Sequence, residues 1–277
     1  MDFRTVVDIK PSDWKIPPCE KMLFVGSCFA DNLGNRFIEE KFNATVNPYG
    51  VMYNPASIYH TVMRLHNDTP QENYNVAVFT LGTNHVYILN ETGEIVDNCM
   101  KRPQRLFTEK ELTVDECHDY LKQVIDVLRV INPEIKIILT VSPIRYRKYG
   151  YHGSQLSKAV LQLAVDKIVT DDTSIVYFPA YEIVMDELRD YRFYNEDMLH
   201  PSSQTVKYIY EKFAETFFSD DTFTFLDEWR PIKEALGHKP LHPDSEEYKV
   251  FMNKTMLKLH AISKKYHTFA LNNILER

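Results

Sequence analysis

Four short, nearly continuous apolar runs, 22–26, 76–81, 135–142 and 174–178, alternate along the chain with stretches whose apolar positions recur every three or four residues. Runs without polar alternation are what strands covered by helices on both faces require. The stretches between them read as helices. Residues 31–40 follow the first run, and 54–67 place Ile58, Val62 and Leu65 on one stripe. Residues 113–131 open with Thr113 and Glu116 at capping-box spacing and bury Leu121, Val124, Ile125 and Leu128. Residues 154–169 repeat the period through Leu156, Val160, Leu163, Ala164 and Ile168, and 202–218 do so from a cap at Ser202. The alternation predicts an α/β fold, a three-layer α/β/α sandwich around a mainly parallel sheet.

Residues 86–97 interrupt this rhythm with a predicted β-hairpin turning at 90–93, an insertion expected to project from the sheet. Beyond residue 219 the sequence becomes helical, with no strand signal. Residues 244–277 space Tyr248, Met252, Met256, Leu259, Ile262, Tyr266 and Phe269 at helical intervals. The expected organisation is a domain at 1–218 and a helical extension at 219–277, packed on that domain or on a second subunit of a homo-oligomer.

Composition narrows the function classes. Hydrophobic residues at 44%, with 16 Phe and 17 Tyr, suit a packed globular core rather than a disordered chain. A net charge of -7 offers no basic surface for nucleic acid. Cys19, Cys28, Cys99 and Cys117 lack the close pairs of zinc or redox sites, so free thiols, no metal and no cofactor are expected. No basic-then-apolar leader opens the sequence and no apolar run reaches membrane-spanning length, which predicts a cytoplasmic protein with no membrane partner.

The first apolar run delivers Ser27 to a strand-to-helix turn. Loops at the carboxyl ends of the strands line the crevice of an open α/β sheet, and a helix amino terminus favours developing negative charge. Ser27 is therefore the candidate nucleophile. Among the ten histidines, His60, His66, His260 and His267 lie in helical patterns, whereas His200 falls in a loop just before the Ser202 cap. Its ring can point across the sheet edge toward Ser27, with Asp197 three residues earlier to fix its tautomer. Asp115 and His118 share that spacing but open a capped helix, so Asp115 is expected to favour the helix terminus and His118 to ride the surface. After the second run, Gly82 permits a sharp turn and Asn84 offers an amide to an oxyanion beside the Ser27 N–H. Gly50 is a further backbone donor, or simply a turn glycine.

These residues carry a resemblance. Gly26-Ser-Cys-Phe-Ala30 resembles the signature of the GSCFA family, within the wider SGNH (GDSL-like) hydrolase superfamily. Asn47-Pro-Tyr-Gly50, Tyr53-Asn-Pro55, Leu81-Gly-Thr83, Thr140-Val-Ser-Pro-Ile-Arg145, Gln155-Leu-Ser-Lys158 and Asp197-Met-Leu-His-Pro201 follow in family order, over residues 20–215. The resemblance implies a flavodoxin-like sheet and ester hydrolysis through an acyl-enzyme. By position it makes Ser27 the nucleophile, Gly50 and Asn84 the oxyanion residues, and Asp197 with His200 the terminal acid and base. Two positions depart from the superfamily pattern: its serine follows an Asp whereas Ser27 follows Gly26 directly, and His85 stands where its third block has Asp.

The expected reaction is hydrolysis of a small acyl ester, such as an acetyl ester, on a carbohydrate or other small molecule. His200 takes the Ser27 proton, and the Ser27 N–H, Gly50 N–H and Asn84 amide hold the oxyanion. Cys28 is the better intrinsic nucleophile, yet neighbouring side chains on a turn point in different directions, so both cannot face His200. Arg145, Arg147, Tyr151 and His152 leave the third run at the same edge and are the expected substrate-binding residues, a solvated surface loop being the alternative. An acyltransferase with the same acyl-enzyme and a non-catalytic binding protein are the competing functions.

Overall fold

The computed structural model describes residues 4–70 and 72–269. β1 (Lys21–Gly26), β2 (Asn43–Val46), β3 (Val76–Leu81), β7 (Lys136–Val141) and β8 (Ile175–Tyr177) form one sheet in the order β2-β1-β3-β7-β8, every pair parallel. Helices α1 (Cys28–Glu39) and α6 (Ser203–Phe217) cover one face, through a core that includes Phe24, Phe29, Phe37, Phe213 and Phe217. Helices α2 (Pro55–Asp68), α3 (Val114–Ile131) and α4 (Gly150–Asp171) cover the other, burying Val62, Leu121, Val124, Leu161 and Val165 against the sheet. This is the predicted three-layer sandwich. Burial on both faces explains why β1, β3 and β7 are apolar at consecutive positions.

The insertion is a separate antiparallel sheet. β4 (His85–Leu89) pairs with β5 (Ile95–Val96) on one side and with β6 (Phe107–Glu111) on the other. The hairpin is as predicted; β6 adds a strand that the hydrophobic pattern missed, because Phe-Thr-Glu-Lys-Glu carries four exposed polar side chains. Two further expectations are corrected. In α4, Leu156 and Leu163 are 55% and 58% exposed, while Ser154, Ser157 and Lys158 are buried, so the helix turns a polar face inward. His118 is buried, its Nε2 3.4 Å from Asp171 Oδ2, rather than riding the surface.

After β8 come α5 (Ala180–Glu182) and, beyond α6, α7 (Asp220–Gly237) and α8 (Glu246–Lys265). Phe225, Trp229 and Ile232 of α7 pack with Leu259 and Ile262 of α8. Trp229 Nε1 donates to Glu39 O at the end of α1. The predicted amphipathic helix at 244–277 is seen as α8, and residues 270–277 lie outside the described residues. No helix among the described residues is long and apolar enough to cross a membrane.

Candidate active site

The β1–α1 turn is built by close packing. A Cβ on Gly26 would lie 2.3 Å from Thr80 O, so only glycine lets β1 and β3 approach this closely. Asn47 locks the turn from the side: its Oδ1 accepts from the Gly26 N–H and its Nδ2 donates to Asp31. Ser27 is the N-cap of α1, and its Oγ accepts from the Phe29 N–H. That hydroxyl is fully buried and donates to Ser142 Oγ at 2.9 Å. Cys28 follows as the first helical residue. Its thiol is partly exposed, and Sγ is 3.6 Å from the Tyr53 hydroxyl. Burial, then the contact with Cys28, raises the Tyr53 pKa, so the phenol keeps its proton.

Of the expected oxyanion donors, the two backbone N–H groups are committed within the fold, and the Asn84 amide spends one of its two hydrogens there. The Ser27 N–H donates to Thr80 O and Oγ1, the Gly50 N–H to Asn47 O, and the Asn84 amide to Leu112 O at 2.7 Å. Gly50 has a φ of +95° and Cβ space around it, which is the turn-glycine role. Gly82 serves close approach rather than the sharp turn expected of it: a Cβ there would sit 2.2 Å from the Tyr146 hydroxyl. By contrast, among the described residues no hydrogen bond uses the Cys28 N–H, which points out of the α1 terminus as helix geometry requires.

Asp197 and His200 are brought together. Asp197 Oδ1 accepts from the Leu199 and His200 N–H groups, and Oδ2 lies 2.6 Å from His200 Nδ1. The His200 and Leu199 N–H bonds, and then the imidazole, hold the Asp197 carboxyl down to about 2. Met198, at a φ of +60°, bends the chain so that the carboxylate folds back over those amides. The Arg145 N–H donates to Leu199 O, and the Arg145 guanidinium donates to Met198 O. This ties the acid–base turn to the segment that leaves β7, next to Ser142. No hydrogen bond among the described residues joins His200 to Ser27 or Cys28.

The expected substrate residues divide. Arg145 is spent on the Asp197–His200 turn, its guanidinium 4.3 Å over the Tyr151 ring. Arg147, Tyr151 and His152 are exposed. If His200 is the base that the sequence predicts, Arg145→Ala is expected to lower kcat by roughly ten- to a hundredfold with little change in KM, because it displaces His200 rather than a substrate contact. Steady-state kinetics on any turned-over ester checks this split.

Lys158 stands in a segment that carries the family resemblance, but the sequence reading gave it no role because it assigned α4 an apolar inner face. It is fully buried and donates to Gly82 O and Ser142 O, both at 2.6 Å, pinning the carboxyl ends of β3 and β7. Burial pushes its pKa down to about 7 from an ordinary value of 10.5. Between those values the unfolded chain binds a proton that the folded chain does not, so this group makes stability rise with pH, by up to roughly 1.4 kcal/mol per unit. In denaturant unfolding across pH 7 to 10.5, the stability of wild type relative to Lys158→Met is expected to rise with pH; parallel curves would contradict it. Among the described residues no group of three or more His, Cys, Asp or Glu is arranged to hold a metal ion.

The family model for GSCFA matches residues 21–76 and 69–213, which spans the β1–α1 turn and the Asp197–His200 segment. The chain belongs to the GSCFA family. A second model, the GSCFA domain protein C-terminal domain, matches residues 229–277. No curated protein sequence matches. Among solved structures, similarity extends to a carbohydrate esterase family 3 protein from Talaromyces cellulolyticus, at 11% identity and TM-score 0.42, covering 75% of this chain and 99% of that one. It extends also to a GDSL-like lipase from Bacteroides thetaiotaomicron, at 14% identity and TM-score 0.41, covering 70% and 88%. The family signature thus coincides with the turn just described, its Gly26 fixed by packing, its Ser27 by capping.

Proposed function

We propose that this GSCFA protein is an ester hydrolase working through an acyl-enzyme, with His200 as base, Asp197 as its orienting acid, and Cys28 in place of Ser27 as the attacking group. The observation that carries this reading is the 2.6 Å Asp197–His200 pair, held by two backbone amides at the carboxyl edge of the sheet. A carboxylate fixed in this way holds Nδ1–H and leaves Nε2 to take a proton.

The choice of Cys28 follows from the surroundings of the two candidates. Ser27 Oγ is fully buried and engaged with Phe29 N, Ser142 and Thr80, so attack would break the cap of α1. The Cys28 thiol is partly exposed at the amino terminus of that helix, where the dipole and an unpaired N–H favour a developing oxyanion. In the proposed sequence His200 Nε2 takes the thiol proton, and sulfur attacks the ester carbonyl. The tetrahedral oxyanion accepts from the Cys28 N–H, with Tyr53 O–H as a second donor beside it. Collapse expels the alkoxide, which takes the proton back from His200. Water, deprotonated by His200, then attacks the thioester and releases the carboxylic acid and the thiol.

Helix α7 acts in this reading as a brace for α1, supported by the Trp229 bond to Glu39 O and the Lys233 ion pair with Glu40. The same thioester could pass its acyl group to a hydroxyl other than water. Turnover of acetyl, butyryl and sugar esters, with and without an added alcohol acceptor, tests the reading; hydrolysis at a rate unchanged in His200→Ala would refute it.

A further inference from the structure

A cleft of about 670 Å³ opens between the inserted β4–β5–β6 sheet and the carboxyl edge of β3 and β7, within the size range of small-molecule sites. We infer that it binds a neutral polyhydroxylated ring, the sugar part of an ester whose acyl carbon is presented to the β1–α1 turn; this inference rests on the acyl-transfer reading above. Tyr53 connects the two places, since its ring lines the cleft while its hydroxyl touches Cys28 Sγ. None of Arg145, Arg147, Tyr151 and His152, the residues expected to bind substrate, lines this cleft.

The chemistry of the wall selects the occupant. Half-buried Tyr87, Phe107 and Tyr149, with Tyr53, give flat apolar faces of the kind that pack on the C–H face of a sugar ring. Hydrogen-bonding capacity stands among them. His85 is 8% exposed and stacks on Tyr149 at 3.6 Å between ring centroids. Its Nδ1 has no hydrogen-bond partner although Glu109 Oε1 is 3.5 Å away. Burial lowers the His85 pKa against the opposing pull of Glu111 and Glu109, so the ring stays neutral and can exchange a hydrogen bond with a hydroxyl. The Tyr146 hydroxyl on the same wall is also buried without a partner.

The charges are largely matched inside the protein. Lys148 bonds both oxygens of Glu109, at 2.9 and 2.8 Å, and also Tyr87, while Asp97 pairs with His60 at 2.8 Å. Only Lys101 and Arg102 on the exposed rim add positive charge. A polyanion would find only Lys101 and Arg102 on the exposed rim to pair with, Lys148 being spent on Glu109, and an alkyl chain would leave the His85 and Tyr146 polar atoms buried and unpaired. A ring of hydroxyls with an apolar face meets neither cost.

The test reads binding, so it does not depend on turnover. Calorimetry and saturation-transfer NMR on the full chain would use unacetylated cellotetraose, xylotetraose and maltotetraose at millimolar concentration, with octanoate and inositol hexakisphosphate as aliphatic and anionic controls. The expected result is saturable binding of at least one sugar, weakened about tenfold or more by Phe107→Ala and by His85→Leu, the loss of one buried hydrogen bond or stacking face. His85→Gln, which keeps a polar group, is expected to weaken it less. Binding of no sugar, sugar binding indifferent to both Phe107→Ala and His85→Leu, or tighter binding of either control would overturn the inference. Ester turnover that persists without sugar binding would overturn it while leaving the acyl-transfer reading intact.

Discussion

Cys28→Ala is expected to abolish measurable ester turnover, a loss of roughly 10⁴–10⁶-fold in kcat, whereas Ser27→Ala keeps kcat/KM within about tenfold and lowers stability. The contrast follows from what each side chain does in the folded chain. Removing the Cys28 thiol removes the reacting atom. Removing the Ser27 hydroxyl takes away the N-cap bond to Phe29 and a buried contact to Ser142, which costs about 1–2 kcal/mol of folding free energy and touches no reacting atom. Thermal unfolding of the two variants separates a folding defect from a chemical one. Cys28→Ser retains the position with a weaker nucleophile and should recover only a small part of the rate. Iodoacetamide should inactivate wild type by alkylating Cys28, and should still do so in Cys99→Ala, which lacks the other partly exposed thiol; the buried Cys19 and Cys117 thiols are pushed up to about 12 by their surroundings.

His200→Ala is expected to reduce kcat/KM by roughly 10²–10⁴-fold, the usual contribution of a positioned general base. Asp197→Ala should approach that loss, because one carboxylate both holds Nδ1 at 2.6 Å and accepts the two amides that shape the turn. Asp197→Asn preserves the shape but can leave Nδ1 as the acceptor, presenting the wrong tautomer to the nucleophile. The three variants should retain the wild-type melting temperature more nearly than Ser27→Ala, since the Asp197 and His200 side chains are 44% and 36% exposed. Steady-state kinetics with a small activated ester reads all three. A histidine variant with unchanged kcat/KM would remove His200 from the chemistry.

Much of this was legible in the sequence for identifiable reasons. β3 falls at the predicted residues because every position of Val76–Leu81 is buried. The Thr113–Glu116 capping box forms with both reciprocal bonds. The strand β2 was missed because Asn43–Val46 lies at the sheet edge, none of its residues fully buried. The role of Lys158 was missed because helical periodicity counts apolar positions, and α4 instead buries Ser154, Ser157 and Lys158 to bond the strand ends. The Asp197–His200 pair was readable because three residues suffice to close it. The partners of two expected oxyanion donors were not readable, because they are distant in sequence: Thr80 holds the Ser27 N–H and Leu112 accepts from the Asn84 amide. Choosing between Ser27 and Cys28 likewise needs the depth of the turn, which two adjacent letters do not encode.

The most direct test of the account is the chemical nature of the acyl-enzyme. Wild-type protein would be acid-quenched during turnover of an activated acetyl ester, digested with trypsin, and the peptide 22–36, which contains both Ser27 and Cys28, weighed before and after neutral hydroxylamine. A thioester on Cys28 predicts an acetyl adduct that neutral hydroxylamine removes and that Cys28→Ala never forms. An adduct that resists neutral hydroxylamine, persists in Cys28→Ala and disappears in Ser27→Ala would contradict the account and return the reaction to the serine.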